Sequence, residues 1–175
     1  CTRPGAVGTG ALPAITVQAE SLPAWQAAAQ AAEARAQTAL DLRAGGTSLA
    51  RRSDYASGPS RNLADVMAYT PGVAVNTRHG DETRFSIRGS GLQRGFLLRG
   101  IQLYQDGVPL NHADGAGDFQ ALDPLAAQYV QVWRGANALE YSADELGGAV
   151  NFVSHTGRTA APASLRLQAG SFGAW

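Results

Sequence analysis

The rhythm of apolar positions along this chain changes at Gly72. From Ala24 to Ala44 the stretch AWQAAAQAAEARAQTALDLRA is built from alanine, glutamine, glutamate and arginine, all good helix formers, and Gly45-Gly46 supply a stop. So few large apolar groups bury little, so the pattern predicts a spacer helix rather than a core one. Residues 45–60 are polar and read as irregular. In PSRNLADVMAYTPGV, Leu63, Val66 and Met67 recur at helical spacing, with Ser60 placed as N-cap and Pro71-Gly72 as terminator. Beyond Gly72 the period becomes two. VAV, RFSIRG, GIQLYQDGVPL, QYVQVWRG and GGAVNFVS are short strand runs divided by glycine turns. Asp106-Gly107 is a hairpin turn, and Asp123-Pro124 opens a brief helical turn before Tyr129–Trp133. The expectation is four or five short strands with two small helices, a compact α+β unit.

The two ends differ from this body. Residues 1–14 are Gly, Ala, Thr and Pro in the main, a flexible tail. AITVQAE (Ala14–Glu20) is a short extended patch with Ile15 and Val17 on one side, suited to pairing onto another protein's sheet edge. At the far end SLRLQAGSFGAW sets Leu165, Leu167 and Ala169 against Arg166, Gln168 and Gly170, the alternation of a membrane β-barrel strand. The expected division is an N-terminal segment at 1–23, the spacer helix at 24–46, the strand-rich domain at 47–160, and a strand start at 161–175.

Composition narrows the function more than it alters the fold. Net charge is zero, so a nucleic-acid footprint or polybasic membrane patch is not expected. All 14 basic residues are arginine, through codon bias, through a need for fixed bidentate partners, or both. No run approaches the roughly 18 apolar residues of a transmembrane helix. Cys1 is the single cysteine, so no disulfide can form within the chain; it is either a lipidated end or simply where the sequence begins.

Chemical motifs fail on inspection. GSGLQRG has G-x-G-x-x-x-G spacing, one residue too long for a dinucleotide loop. The aspartates of DGVPLNHADGAGD lack EF-hand spacing. His79, His112 and His155 lie on separate segments without a ligand pair, and Ser86, Ser90 and Ser154 sit in no nucleophile elbow. No catalytic residue, metal site or cofactor is expected, and the chain is not read as an enzyme. What does recur is a strand ending in Arg-Gly: Arg88-Gly89 after FSI, Arg99-Gly100 after FLL, and Arg134-Gly135 after VQVW. An arginine leaving a strand end, followed by a residue free in φ, aims a cation at a fixed angle. Three such devices favour ion pairs with a surrounding surface.

NLADVMAYTPGVAV, FSIRG, YQDGVPL, VQVWRGANALEYSADELGGAVNFVS and LRLQAGSFG occur in this order. Together they closely resemble the plug domain of TonB-dependent outer-membrane receptors followed by the start of the first barrel strand, over residues 61–175, with most likeness to the ferric-citrate-receptor branch. The resemblance implies a small mixed-sheet α+β plug with short helices. In a full receptor it would be enclosed by a roughly 22-stranded antiparallel β-barrel that this chain lacks. It also implies the outer membrane as location, with the N-terminus facing the periplasm. The implied partners are TonB with its inner-membrane energising complex, the receptor's own C-terminal barrel, and a small ligand, a ferric siderophore or ferric citrate first. By position, Arg88 and Arg134 would pair with acids of the barrel wall, Gly89, Gly135, Gly147 and Gly148 would be structural, and Ile15, Thr16 and Val17 would form the TonB box. Three loops, 76–83, 91–96 and 111–119, would face the ligand, with Arg78, His79, Gln93, Arg94, Asn111 and His112 as contacts. Ser142 and Asp144-Glu145 depart from the pattern, as does the long helix between the box and the plug. The rival expectation is a free-standing periplasmic binding or adaptor domain with a plug-like fold.

Overall fold

The computed structural model of the chain describes residues 21–58, 62–77, 83–91, 98, 100–117, 122–141 and 146–167. Helix α1 (Ala24–Asp41) leads into strand β1 (Gly46–Arg51), followed by the short helices α2 (Arg52–Tyr55) and α3 (Leu63–Met67). Then come β2 (Val73–Thr77), β3 (Thr83–Ile87), β4 (Ile101–Gln105), β5 (Val108–Pro109), β6 (Ala127–Arg134), a single 3₁₀ turn (Gly135–Ala138) and β7 (Gly148–Ser154). β2 and β3 form an antiparallel hairpin. The other five strands make one mixed sheet in the order β1-β6-β7-β4-β5. Every contact in it is antiparallel except β4 with β7, which is parallel. A mixed sheet with short helices is the α+β architecture the strand pattern implied.

The period of two explains how the sheet becomes two-faced. Ile101 and Leu103 of β4, Val130 and Val132 of β6, and Val150 and Phe152 of β7 point to one side. There they meet Phe85 and Ile87 of the hairpin and Leu63, Val66 and Met67 of α3. The intervening residues Tyr104, Trp133 and Ala149 point the other way and pack with Leu40 of α1 and Ala138 of the 3₁₀ turn. That second face is partly polar. Gln131 and Asn151, opposite each other in the β6–β7 register, are joined by a 3.1 Å amide hydrogen bond.

Two expectations need correction. Residues 46–55, read as irregular, are β1 and α2. GTSLAR carries only Leu49 and Ala50 as apolar residues because it pairs along one side only, with β6, so no strong alternation was there to see. The cap of α3 is Asn62, not Ser60, which lies outside the described residues. The Asn62 side chain accepts from the Asp65 N–H at 3.2 Å while the Asp65 carboxylate accepts from the Asn62 N–H at 3.3 Å. This reciprocal box satisfies two orphan donors of a helix only five residues long.

Other expectations fit more closely. Asp106 and Gly107 adopt φ 52° and 81°, the mirror-image turn that suits a two-residue hairpin. Asp123-Pro124 opens a turn, closed by the Ala126 N–H on the Asp123 carbonyl at 3.1 Å. The terminal stretch, read as the start of a strand, is not in a strand over 161–167, the part that is described, and Leu165 and Leu167 stand exposed.

Replacing Asn62 by alanine removes the capping oxygen and is expected to destabilise the chain by about 1 kcal/mol. Urea denaturation of the two proteins measures it; an unchanged midpoint would mean the box contributes nothing.

Candidate functional site

Arg134 ends β6 and is buried, at 9% exposure. One guanidinium nitrogen donates to the Ser48 hydroxyl at 2.6 Å and to the Pro71 carbonyl at 3.0 Å, and the other to the Thr47 carbonyl at 2.9 Å. A single side chain thereby ties β6 to β1 and to the turn between α3 and β2. Arg88 follows β3 in a left-handed conformation, φ 51°, with Gly89 at φ 91° behind it. Its N–H donates to the Gly72 carbonyl at 2.9 Å, which fixes the turn, and its exposed side chain runs alongside Arg134.

Three glycines lie against the two cations, and Gly46 makes room for both. A Cβ on Gly46 would lie 2.6 Å from an Arg88 terminal nitrogen and 3.0 Å from Arg134 Nε. One on Gly72 would touch the Arg134 Cδ at 3.4 Å, and one on Gly135, itself at φ 67°, would face Arg88 at 3.6 Å. Bulk at Gly46 would displace the guanidinium groups, whereas the contacts at Gly72 and Gly135 are of ordinary length.

Electrically the pair is unbalanced. Burial, and then the neighbouring Arg88 charge, hold the Arg134 pKa below its ordinary value. Among the described residues the one ion pair is Arg43–Glu140, elsewhere on the surface, and no carboxylate reaches Arg88 or Arg134. Among the described residues the two cations thus stand side by side without an acid.

Immediately beside them, Gly147 and Gly148 thread between other backbones. Both N–H groups donate to the Gly100 carbonyl, at 2.8 and 3.1 Å, while the Gly147 carbonyl accepts from Gly135 N–H at 2.9 Å. Gly148 has φ 149°, and a Cβ there would collide with the Trp133 carbonyl oxygen. Arg99, the middle Arg-Gly device, lies outside the described residues.

Of the expected ligand contacts, Asn111 and His112 are among the described residues. Arg78, His79, Gln93 and Arg94 lie outside the described residues, as do Ile15, Thr16 and Val17. Asn111 and His112 line an open cleft of roughly 400 Å³ with Leu98, Gly100, Gln102 and Asp114. Both ends of the Asn111 amide are committed to β4: Oδ1 accepts from Leu103 N–H at 2.8 Å, and Nδ2 donates to the Ile101 carbonyl at 2.9 Å. Asn111 thus builds the cleft wall, and His112 is exposed on it together with Asp114. Thr47, Ser48 and Pro71 were missed as partners of Arg134, because nothing in their local sequence marks a carbonyl or hydroxyl that a distant arginine will use. Gly46 and Gly72 read only as punctuation. No group of three potential metal ligands occurs among the described residues.

Residues 43–149, which contain both arginines and all four structural glycines, match the family model of the TonB-dependent Receptor Plug Domain. The chain belongs to this family. A relative in Vibrio cholerae, an iron-regulated outer membrane virulence protein, is 33% identical over 109 residues, covering 61% of this chain and 17% of the relative. In fold the plug is similar to the ferric citrate transporter FecA in its unliganded form, with a TM-score of 0.58, 25% identity, and coverage of 71% of this chain and 19% of that one. It is also similar to the siderophore receptor PirA of Acinetobacter baumannii, with a TM-score of 0.51, 25% identity, and coverage of 63% and 17%. The plug spans about a fifth or less of the length of these proteins. Membership answers the question of class: the family is one of receptors, not of enzymes, and the outer-membrane location agrees with the Vibrio relative.

At the opposite end of the sheet the plug holds a pH-sensitive contact. His155, just past β7, accepts from Arg52 of α2 on Nε2 at 3.0 Å, and its Nδ1 side faces the Thr159 carbonyl at 3.2 Å. An arginine cannot accept, so the ring is neutral here. Burial, then Arg52, lower its pKa from the ordinary 6.5, against a smaller upward pull from the Thr159 carbonyl.

Two outcomes are expected at these positions. Gly148→Ala collides with backbone that cannot yield, so circular dichroism should show loss of cooperative folding or a melting temperature lower by ten degrees or more, on the order of 3 kcal/mol; a native-like melt would remove the close-approach argument. For His155, the folded ring titrates below the unfolded one. As pH falls past about 6.5 the unfolded chain takes up a proton first, so the stability this ring contributes is intact above that value and lost below it. His155→Gln should flatten the fall of melting temperature between about pH 7 and pH 5. Parallel slopes for the two proteins would mean the contact is not linked to protonation.

Proposed function

We propose that this plug closes the pore of an outer-membrane receptor that imports a scarce metal chelate, of the ferric siderophore or ferric citrate class. Energy arrives from TonB through the N-terminal segment that contains Ile15, Thr16 and Val17. The single observation that carries the proposal is the Arg88–Arg134 pair. The cations sit at one end of the sheet, with Gly46 clearing space for both and no acid of their own among the described residues. In an enclosing barrel they pair with wall carboxylates, and that pairing keeps the plug in the pore. Arg134, with three of its donors already committed inside the plug, contributes charge from a fixed position; Arg88 is the reaching partner.

Ligand contact belongs to the loops around Arg78, His79, Gln93 and Arg94 and to His112 on the open cleft. Cations at these loops suit an anionic chelate. The names of the iron-regulated Vibrio relative and of FecA support iron as the metal carried. No bond is made or broken in this function. The plug blocks, contacts and moves.

In the full-length receptor, Arg88→Glu should lower energy-dependent uptake of the ferric chelate roughly tenfold and raise entry of a bulky hydrophilic antibiotic. Reversing the facing wall carboxylate to arginine should restore both. Uptake and permeability that remain at wild-type levels in Arg88→Glu would sink the wall-pairing role.

A further inference from the structure

The chain leaves the sheet through a short arm. After β7, residues 155–160 form a turn bonded within itself. The Thr156 N–H donates to the Thr159 hydroxyl at 2.8 Å, and the N–H groups of Thr159 and Ala160 both return to the Thr156 carbonyl, at 2.9 and 2.8 Å. His155 completes the turn. Its Nε2 accepts from Arg52, so the ring proton sits on Nδ1 and donates to the Thr159 carbonyl. Beyond the turn, residues 162–167 are exposed.

Two polar contacts join this arm to the region of α2. Arg52 reaches the ring, and Arg166 donates to the Gly58 carbonyl just past the same helix. Both sides of the joint are secured without the ring. Tyr55 of α2 is buried, and its hydroxyl lies 3.2 and 3.3 Å from the Pro124 and Ala127 carbonyls at the entry to β6. Ser154, the last residue of β7, pairs with Ala127 and donates its N–H to the Asp106 carboxylate at 2.7 Å.

A proton on Nε2 undoes the joint in two ways. It removes the acceptor, so that an N–H faces the Arg52 donor, and it sets two cations 3.0 Å apart. The Nδ1 bond to Thr159 survives, so the turn travels with the ring. No neighbouring charge offsets this. Arg52 of α2 and Arg158 of the turn are cations. Asp54 of α2 is engaged by the Arg51 N–H and the Ser53 hydroxyl, and Asp106 by the Ser154 N–H. Among the described residues no carboxylate pairs with His155. The lowered pKa of the docked ring agrees in direction. The remaining Arg166 bond is solvent-exposed and holds the arm weakly by itself.

We infer that His155 is an acid-released clamp on the chain leaving the sheet: neutral, it docks residues 155–167 against α2, and protonated, it lets them swing away. Once released, the ring returns to its ordinary 6.5, so below that pH release takes up a proton and gains at most about tenfold in population per pH unit. The stretch set free carries the exposed Leu165 and Leu167. Acid thereby loosens the attachment of the segment that resembles a strand start. The clamp rests on the chain's own contacts and not on the receptor function proposed above.

Spin labelling of the 175-residue chain tests it. With Cys1→Ser as background, a nitroxide on Ser164→Cys reports the mobility of the arm by electron paramagnetic resonance. The label should be restrained at about pH 8 and gain a mobile component as pH falls through about 6.5 to about 5, with far-UV circular dichroism unchanged. His155→Gln, which takes up no proton, should abolish that change, and His155→Lys, charged throughout, should leave the label mobile at every pH. Mobility that does not vary with pH in the native ring, a transition that persists in His155→Gln, a restrained label in His155→Lys, or release that coincides with loss of the circular dichroism signal would each overturn the clamp.

Discussion

The rest of the plug is arranged around one buried guanidinium. Arg134 reaches from the end of β6 to two carbonyls and a hydroxyl on β1 and on the turn before β2. Carbonyls suit a buried cation because each contributes partial negative charge without needing to be ionised. Neutral acceptors satisfy the hydrogen bonds but leave the net charge standing. The second cation, Arg88, then adds like charge beside the first, with no acid against either among the described residues. Internal cohesion and positive charge at this end of the sheet thus come from the same side chain.

That arrangement dictates the glycines. Gly46, Gly72 and Gly135 stand where a methyl group would meet one arginine or the other, and Gly147-Gly148 pass so near the backbones of Gly100 and Gly135 that hydrogen bonds form directly. The low bulk after Arg134 is set by the packing of cations and main chain at this end. The segment 134–148 has small residues at these crossings because several chain segments share little space.

Much of the architecture was legible because burial is periodic. Val130, Val132, Val150 and Phe152 against Trp133 and Ala149 separate two faces of one sheet, and a period of two reveals that without coordinates. The first strand escaped because Gly45-Gly46 reads as a helix stop whether or not a strand follows, and because Thr47 and Ser48 contribute to a clamp rather than to a core. For the site, Arg88 and Arg134 stood out through the repeated Arg-Gly ending. What sequence could not reveal was their adjacency: 46 positions separate them, and only tertiary pairing brings the ends of β3 and β6 together. Asn111 shows the reverse limit. A polar residue in a loop looks available, yet its amide substitutes for a missing stretch of strand beside β4.

The outermost strand of the sheet carries a different message. β5 is two residues long and its second is Pro109, which has no N–H to offer. A neighbouring chain seeking to extend the sheet on that side would find a strand too short to template pairing and missing a donor. The short strand and its proline therefore disfavour extension of the sheet through β5. This side of the sheet is a poor template for edge-to-edge association with other copies.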